Sequence, residues 1–582
     1  MIHLEQGWSA EVRDQFYFTP QGSRLMPYAW FVALEQAGST EPFTAASNLA
    51  KFGWLIAATK SPQLNPDGLP VGFTRDVVDL PETGKWVGMT CAACHTNDVV
   101  VAGKTVRIDG APTLADLSGF TTSLNSAVQA TLIDGNKFAR FAAKVLGGSP
   151  SPDQIARLKL AFLSYATTFA GQTWMRTPAY PEGPGRVDAL GLIINAMSVS
   201  DLEVPENLRP NAAPVSYPFL WYTSRLAWVQ WNPVAASPIA RNAGEVLGVF
   251  GTADFTSRPE ETVKPSSRAG MSRRQELARD YVPLRIREQV AAGVPSAPED
   301  GGTGKLLSSS VLYRNLHQIE QWVATLTEPR WDDELFGAVD EAAAKKGKQL
   351  FDNDCRACHN MPPFDLTPKE ENHDKKQFIK IGRVGYKAVG TDPVYIESLI
   401  SRFTKTGNLA DLFEGKPVVP TAQFFLGTVG VMVEQELDDL GLSPEQKRLY
   451  ADFRFSPSVA GAPPEPYRPP GATDLKAGPL LGIWATAPFL HNGSIPNLYE
   501  LLSPPEGRSK EFWVGSRELD REKLGFVSKR DERYFRFDTS IRGNGNQGHV
   551  YPARDAYKHE QKLALIEYLK DPRRFSGEEA TP

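Results

Sequence analysis

The sequence predicts a mainly α-helical fold with long loops and a few short β-hairpins, divided in two near residue 331. Three observations carry this. Apolar residues recur at helical spacing in several separate stretches. Gly (48) and Pro (46) are generous between those stretches, and one short cysteine motif occurs once in each half of the chain. At 582 residues the chain is long enough for two or more domains, each burying a core.

Taken in order, residues 1–85 are mixed, with helical patterns through "PYAWFVALEQA" and "AASNLAKFGWLIAAT". "DVVVAGKTVRIDGAP" holds two β-rich runs around Ala102, Gly103 and Lys104 and reads as a hairpin. Helical periodicity returns in "LADLSGFTTSLNSAVQATLI" and "SPDQIARLKLAFLSYATTFA". An aromatic, proline-rich passage follows, "PNAAPVSYPFLWYTSRLAWVQWNP". Residues 252–305 are polar and rich in Ser, Pro and Gly, as surface loops are. Beyond the boundary, Asp340 is placed to cap a helix presenting Ala343, Gly347, Leu350 and Phe351, which runs into the second cysteine motif. "HEQKLALIEYLKD" closes the chain as another amphipathic helix.

Composition narrows the function classes. Apolar residues make up 41% and charged residues 23%, and 63 basic against 68 acidic residues leave a net charge of −5. That balance gives no electrostatic reason to bind nucleic acid. No apolar run is long enough for a membrane span. The start, "MIHLEQGWSAEV", has neither a basic nor an apolar leader segment.

All four cysteines lie in "TCAACHTN" and "DCRACHN", as Cys91, Cys94 with His95 and Cys355, Cys358 with His359. Disulfides between cysteines three apart are strained and belong to redox motifs, whose βαβ setting is missing here. Zinc would use the four thiolates but leaves the following histidine unexplained twice. With 8 His in 582 residues, a chance His at a given position is roughly a one-in-seventy event. Covalent haem accounts for all six residues. Two thiols reach the two vinyl groups of one porphyrin, and the adjacent imidazole becomes the proximal iron ligand. Two haem c groups are therefore expected, and zinc is the remaining alternative. Haem attachment in bacteria takes place outside the cytoplasm, so a signal peptide is expected to precede residue 1 in the precursor, and the protein to be periplasmic or secreted.

The sixth ligand of each iron decides what that iron does. The remaining histidines are His3, His317, His373, His491, His549 and His559. His549, in "RGNGNQGHVYPARD", sits in a Gly- and Asn-rich loop that can approach a bulky planar ligand. His491 lies in "IWATAPFLHNGSIPNLYELL". His317 reads as helix packing, His373 as exposed in "KEENHDKKQ", and His559 as solvated on the last helix.

"ATAPFLHNGSIPNLYELL" resembles the distal-loop motif of bacterial dihaem cytochrome c peroxidases and of the dihaem enzyme that matures tryptophan tryptophylquinone. The wider order of motifs resembles the dihaem rubber oxygenases and related fatty-acid dioxygenases. It runs through "QGSRLMPYAWFVALEQ", "NPDGLPVGFTRD", "CAACHT", "VRIDGAP", "GPGRVDALG", "APVSYPFLW", "ARNAGEVLGVFG", "QWVATLTEPRW", "CRACHN", "VGTDP", "FWVGSRELD" and "GNQGHVY". The resemblance implies two packed c-type cytochrome domains, residues 1–330 around the His95 haem and 331–582 around the His359 haem. It implies O2 bound at the His95 haem with no side chain as sixth ligand, and a low-spin C-terminal haem with His549 distal. His491 becomes a residue beside the haems, and an interhaem tryptophan is implied, Trp221 ahead of Trp228 and Trp231. Leu490 stands where many of the peroxidases place a ligating Met, and Met432 is the substitute to examine.

Three functions compete. The favoured one is a dioxygenase adding O2 to an unsaturated hydrophobic substrate, a fatty acid or polyisoprenoid, in a dry pocket. Its lining candidates are Phe219, Trp221, Leu190, Leu192 and Ile193, all of which read equally as core. A peroxidase would need an acid/base over the iron, with Glu245 the candidate, and a redox carrier protein as partner. A plain electron carrier would need far fewer residues.

Overall fold

In the computed structural model, residues 1–57, 63–76, 84–235, 237–255, 307–369, 376–439, 443, 446–447, 473–552 and 556–576 are described. The polar stretch expected as surface loops and His373 fall largely or wholly outside them. Helices Leu117–Ile133, Gly135–Leu146 and Pro152–Arg176 pack together in the first half. Each starts at a side-chain cap: Asp116 accepts from Gly119, Asp134 from Asn136 and Lys137, and Ser151 forms a capping box with Gln154 ahead of Pro152. Their apolar faces close an aromatic core with Trp30, Phe31, Phe73, Phe120 and Phe162.

The second half is organised by a helix crossing. Asp340 caps helix Glu341–Asp354 by accepting from Ala342 and Ala343, as its sequence position predicts. That helix lies on the terminal helix His559–Lys570 so closely that a Cβ on Gly347 would sit 1.9 Å from the Ala564 carbonyl oxygen. Only glycine fits there. Phe351 and Tyr568 fill the crossing with ring centroids 5.3 Å apart. The helix thereby delivers Cys355 at its C-terminal end.

The fold is mixed rather than mainly α. Among the described residues, eighteen strands form eight sheets of two or three strands. The hairpin expected around Ala102 is present, pairing Thr96–Val101 with Lys104–Asp109 across a turn with φ +49° at Ala102 and +75° at Gly103. The others are strands of two to four residues, too short for alternation to stand out in a sequence. The largest apolar cluster draws on both sides of residue 330, with Val99 and Trp221 joined by Trp331, Phe351 and Leu565. No helix among the described residues is long and apolar enough to cross a membrane.

Candidate haem sites

Cys91–Cys94 forms a single helical turn, with Thr90 accepting from the Ala92 amide at its start. Gly72, at φ +84°, lies against this turn, where an added Cβ would be 2.1 Å from the Ala93 nitrogen. The turn presents His95, whose Nδ1 is 2.7 Å from the carbonyl oxygen of Pro218. A carbonyl only accepts, so Nδ1 carries the hydrogen and Nε2 keeps its lone pair. This is the tautomer and orientation of a metal-binding histidine. Burial holds the His95 pKa down to about 4, so the ring is neutral, and pushes the Cys91 and Cys94 thiols up to about 12. Cys91, Cys94 and His95 lie deep, yet each keeps part of its surface accessible. Glu245, whose charge acts on both thiols, keeps 41% of its side chain accessible. These groups face an interior space.

The second motif repeats the arrangement. His359 Nδ1 lies 2.8 Å from the Gly478 carbonyl oxygen. Gly382 runs against the motif, an added Cβ meeting the Cys358 carbonyl oxygen at 2.2 Å. Opposite His359 stands His549, ring centroids 6.2 Å apart and planes at 58°. Two imidazoles sharing one metal at bonds of about 2 Å have centroids roughly 6 Å apart. Both residues line a cavity of about 260 Å³, together with Cys355, Cys358, Phe219, Leu490 and His491. Its walls are mostly apolar, and the two thiols lie at its edge, so the residues fit a haem c.

His549 is held in an uncommon backbone state, φ +49°, next to Gly548 at +77°. Gly548 packs on Gly390 and Thr391 with no room for a Cβ, and the His549 amide donates to the Val389 carbonyl at 2.9 Å. Arg508, buried, fastens the same loop. Its Nη1 donates to the carbonyls of Asn546 (2.5 Å) and Gly548 (2.8 Å), and Nε to that of Ser503 (3.0 Å).

The passage Tyr217–Trp221 connects the two sites. The Pro218 carbonyl holds His95, while Phe219 lines the cavity of His359. Trp221, fully buried, stacks on Phe219 with centroids 4.7 Å apart and donates from Nε1 to the Leu481 carbonyl at 2.8 Å. Gly110 and Gly482 close on the edges of its ring. Trp231 lines the cavity of His359 as well, whereas Trp228 packs apart with Ala227 and Phe378. His491 faces that cavity with its ring 6.0 Å from Tyr395, and burial lowers its pKa to about 4 against the opposing charge of Asp392.

Other sequence candidates fall elsewhere. Leu190, Leu192 and Ile193 pack into three separate apolar clusters, and Met432 packs with Val429 and Leu437 in one of these, away from the residues lining the cavity of His359. His559 is exposed, as expected, with Nδ1 2.9 Å from the Tyr499 hydroxyl. Glu245, the sequence candidate for an acid/base, lies on helix Pro238–Gly248, with Gln230 Nε2 donating to it at 2.8 Å. Burial raises its pKa. Sequence reasoning missed Pro218, Gly478, Gln230 and Arg508, none of which carries a local signal of its role.

Comparison with known proteins supports a c-type cytochrome. A RoxA-like, cytochrome c-like family model matches residues 475–514, the segment that supplies Gly478, Leu490, His491 and Arg508. The uncharacterised protein y4iJ of Sinorhizobium fredii is 33% identical over 97% of this chain and 92% of its own length. The uncharacterised y4iM of the same organism is 29% identical over 32% of this chain and 34% of its own.

Proposed function

This chain belongs to one family with y4iJ and carries a RoxA-like, cytochrome c-like segment, and on that premise we propose an exported, dihaem c-type oxidoreductase. Its N-terminal site adds O2 to an unsaturated hydrophobic substrate, a fatty acid or polyisoprenoid, while its C-terminal site handles electrons. The haem at each motif, when bound, supplies the redox and oxygen chemistry. The chain's own groups do the rest. Cys91 and Cys94, and Cys355 and Cys358, tether; Pro218 and Gly478 orient the two imidazoles.

One observation carries the division of labour. His359 faces a second imidazole at 6.2 Å, whereas among the described residues the ring beside His95 is that of Tyr217, at 6.3 Å. A site filled on both faces passes electrons; a site with one free face admits a small ligand. Mass measurement of the exported protein, followed by absorption and EPR spectra and O2 uptake with oleate, tests the reading. The expected result is two haems per chain, one low-spin with two histidines and one open, and lipid-dependent O2 uptake. Two low-spin haems inert to O2 and peroxide would overturn it.

A second reading, a peroxidase, is favoured by the pair Gln230–Glu245. A carboxylic acid with a raised pKa, facing the interior space beside Cys91, can hold and return a proton to a bound peroxide. Rapid peroxide turnover with a reduced carrier and no O2 uptake would establish that reading instead.

A further inference from the structure

Helix Pro152–Arg176 is apolar on two opposite faces. Leu158, Phe162, Ala166, Phe169 and Thr173 turn into the core. On the far side a second stripe runs the length of the helix: Ala156, Leu160, Leu163, Thr167, Gly171 and Trp174, at helical spacing and all exposed. It carries no charge, and Leu160 and Trp174 keep 68% and 67% of their surface accessible. The neighbouring helix Leu117–Ile133 runs antiparallel to it. Gln129 Nε2 donates to the Ala166 carbonyl at 3.3 Å, while Leu117 shares a cleft with Thr173 and Arg176 at the other end. That sets Ile133, 82% accessible, level with Leu160 and Leu163.

A single exposed apolar residue needs no explanation; four large ones on two adjacent helices do. Arg157 and Lys159 flank the stripe, one on each side, and both are exposed. The chain as a whole carries a net charge of −5, yet helices Gly135–Leu146 and Pro152–Arg176 hold three basic residues each against one acid, Asp153. Glu35, which faces Lys137, Arg140 and Lys144, offsets only one of these charges. An apolar stripe between cations, with a tryptophan at one end, matches an anionic lipid surface. Phosphates suit the cations, the acyl boundary the apolar side chains, and the interface the indole. A second copy of this chain would instead bring one basic surface against another. We propose that this face seats the protein on a bilayer rich in anionic lipid. At the Trp174 end, the cleft of Leu117, Thr173 and Arg176 also holds Leu192, and Thr113, four residues before Leu117, donates its amide to the Cys94 carbonyl at 3.0 Å. The seated face therefore ends near the N-terminal motif, next to lipid-borne molecules. The proposal goes beyond the reaction assigned above and stands on the helix alone, whether that site is an oxygenase or a peroxidase.

Flotation of the exported holoprotein with vesicles reads this without turnover. Vesicles of equal parts phosphatidylcholine and phosphatidylglycerol are compared with phosphatidylcholine alone, at low and high salt. The wild type is expected to float with the anionic vesicles at low salt, and to lose most of that binding on neutral vesicles or at high salt. The triple variant Leu160→Ser, Leu163→Ser, Trp174→Ser should bind at least about tenfold more weakly. Arg157→Gln with Lys159→Gln should weaken binding to the anionic vesicles by about tenfold. Phe403→Ser, which removes an exposed ring from strand Phe403–Lys405, should change nothing. Absorption spectra matching the wild type show each variant folded. A wild type that floats with neither kind of vesicle, or equally with both, overturns the proposal, as does a triple variant that floats like the wild type. So does a wild-type dimer in solution that the triple variant dissociates, since the face would then be a contact between copies. Should the triple variant not be exported, Trp174→Ser alone is expected to lose part of the binding; unchanged binding overturns the proposal equally.

Discussion

The two cysteine motifs are built alike up to the histidine and differently beyond it. In each, a glycine backbone lies directly on the motif, Gly72 on the first and Gly382 on the second. In each, the histidine Nδ1 is tied to a carbonyl oxygen far along the chain, 123 residues away at Pro218 and 119 away at Gly478. The difference is on the facing side. His359 meets His549, held at positive φ by a glycine-rich loop and Arg508, while at the first motif the charge of Glu245, hydrogen-bonded to Gln230, acts on the Cys91 and Cys94 thiols. Each motif is thus a local arrangement of five residues, while the group that faces its histidine is supplied by a distant segment.

The largest effect should come from removing that difference. His549→Gly is expected to abolish the low-spin bis-histidine signal of the C-terminal haem and leave an open iron at both sites. Glycine suits φ +49° better than histidine by about 1 kcal/mol, so backbone strain cannot explain a loss. EPR and absorption spectra of the exported protein check this. If the signal persists, or if the N-terminal haem changes instead, His549 is not the residue that separates the two sites.

The legibility of the two sites differs in the same way. Both cysteine motifs stand out at once, because two thiols and a histidine at fixed spacing have few uses. The capping Asp340, the Ala102–Gly103 hairpin and the terminal helix are equally local, and each is present as expected. His549 stands out in sequence through the glycines around it. Pro218 and Gly478 act through backbone oxygens, which any residue could offer, so no residue type marks them. Glu245 can be picked out as a candidate acid, but nothing local shows that its helix sets its charge against the two thiols. The strands of two to four residues escape for want of periodicity, which is why a mixed fold reads as mainly helical.

A smaller effect is expected at Arg508, which has no counterpart at the N-terminal motif among the residues that fasten His95. Its guanidinium spans from the carbonyls of Leu501 and Ser503 to those of Asn546 and Gly548. Arg508→Ala leaves these oxygens unpaired in a buried place, a cost of about 2–4 kcal/mol. The loop should then release His549 part of the time, giving a mixture of low-spin and high-spin C-terminal haem and a lower melting temperature. Arg508→Lys restores the charge but not the fork and should recover only part of the low-spin fraction. A melting temperature that falls with the spin state untouched would make Arg508 a general stabiliser rather than a positioning residue.

The smallest change tests what joins the sites rather than what separates them. Residues 217–221 are the only short run of described chain in which one backbone oxygen fastens His95 and the next side chain lines the cavity of His359. Trp221 backs that run, stacked on Phe219 and anchored to Leu481, a residue three beyond the carbonyl that fastens His359. Trp221→Phe removes the anchoring hydrogen bond and three buried heavy atoms, at about 2–4 kcal/mol, and touches neither carbonyl that fastens a histidine. Equilibrium spectra of both haems should therefore be unchanged. If the stacked pair carries electrons, their redistribution after rapid partial reduction should slow, because the indole is the larger π-system and its fixed orientation is lost. Phe219→Leu breaks the stack from the other side and should slow it similarly. Were both variants to equilibrate at the wild-type rate, the aromatic pair would be core packing, and the two sites would share a wall without sharing a path.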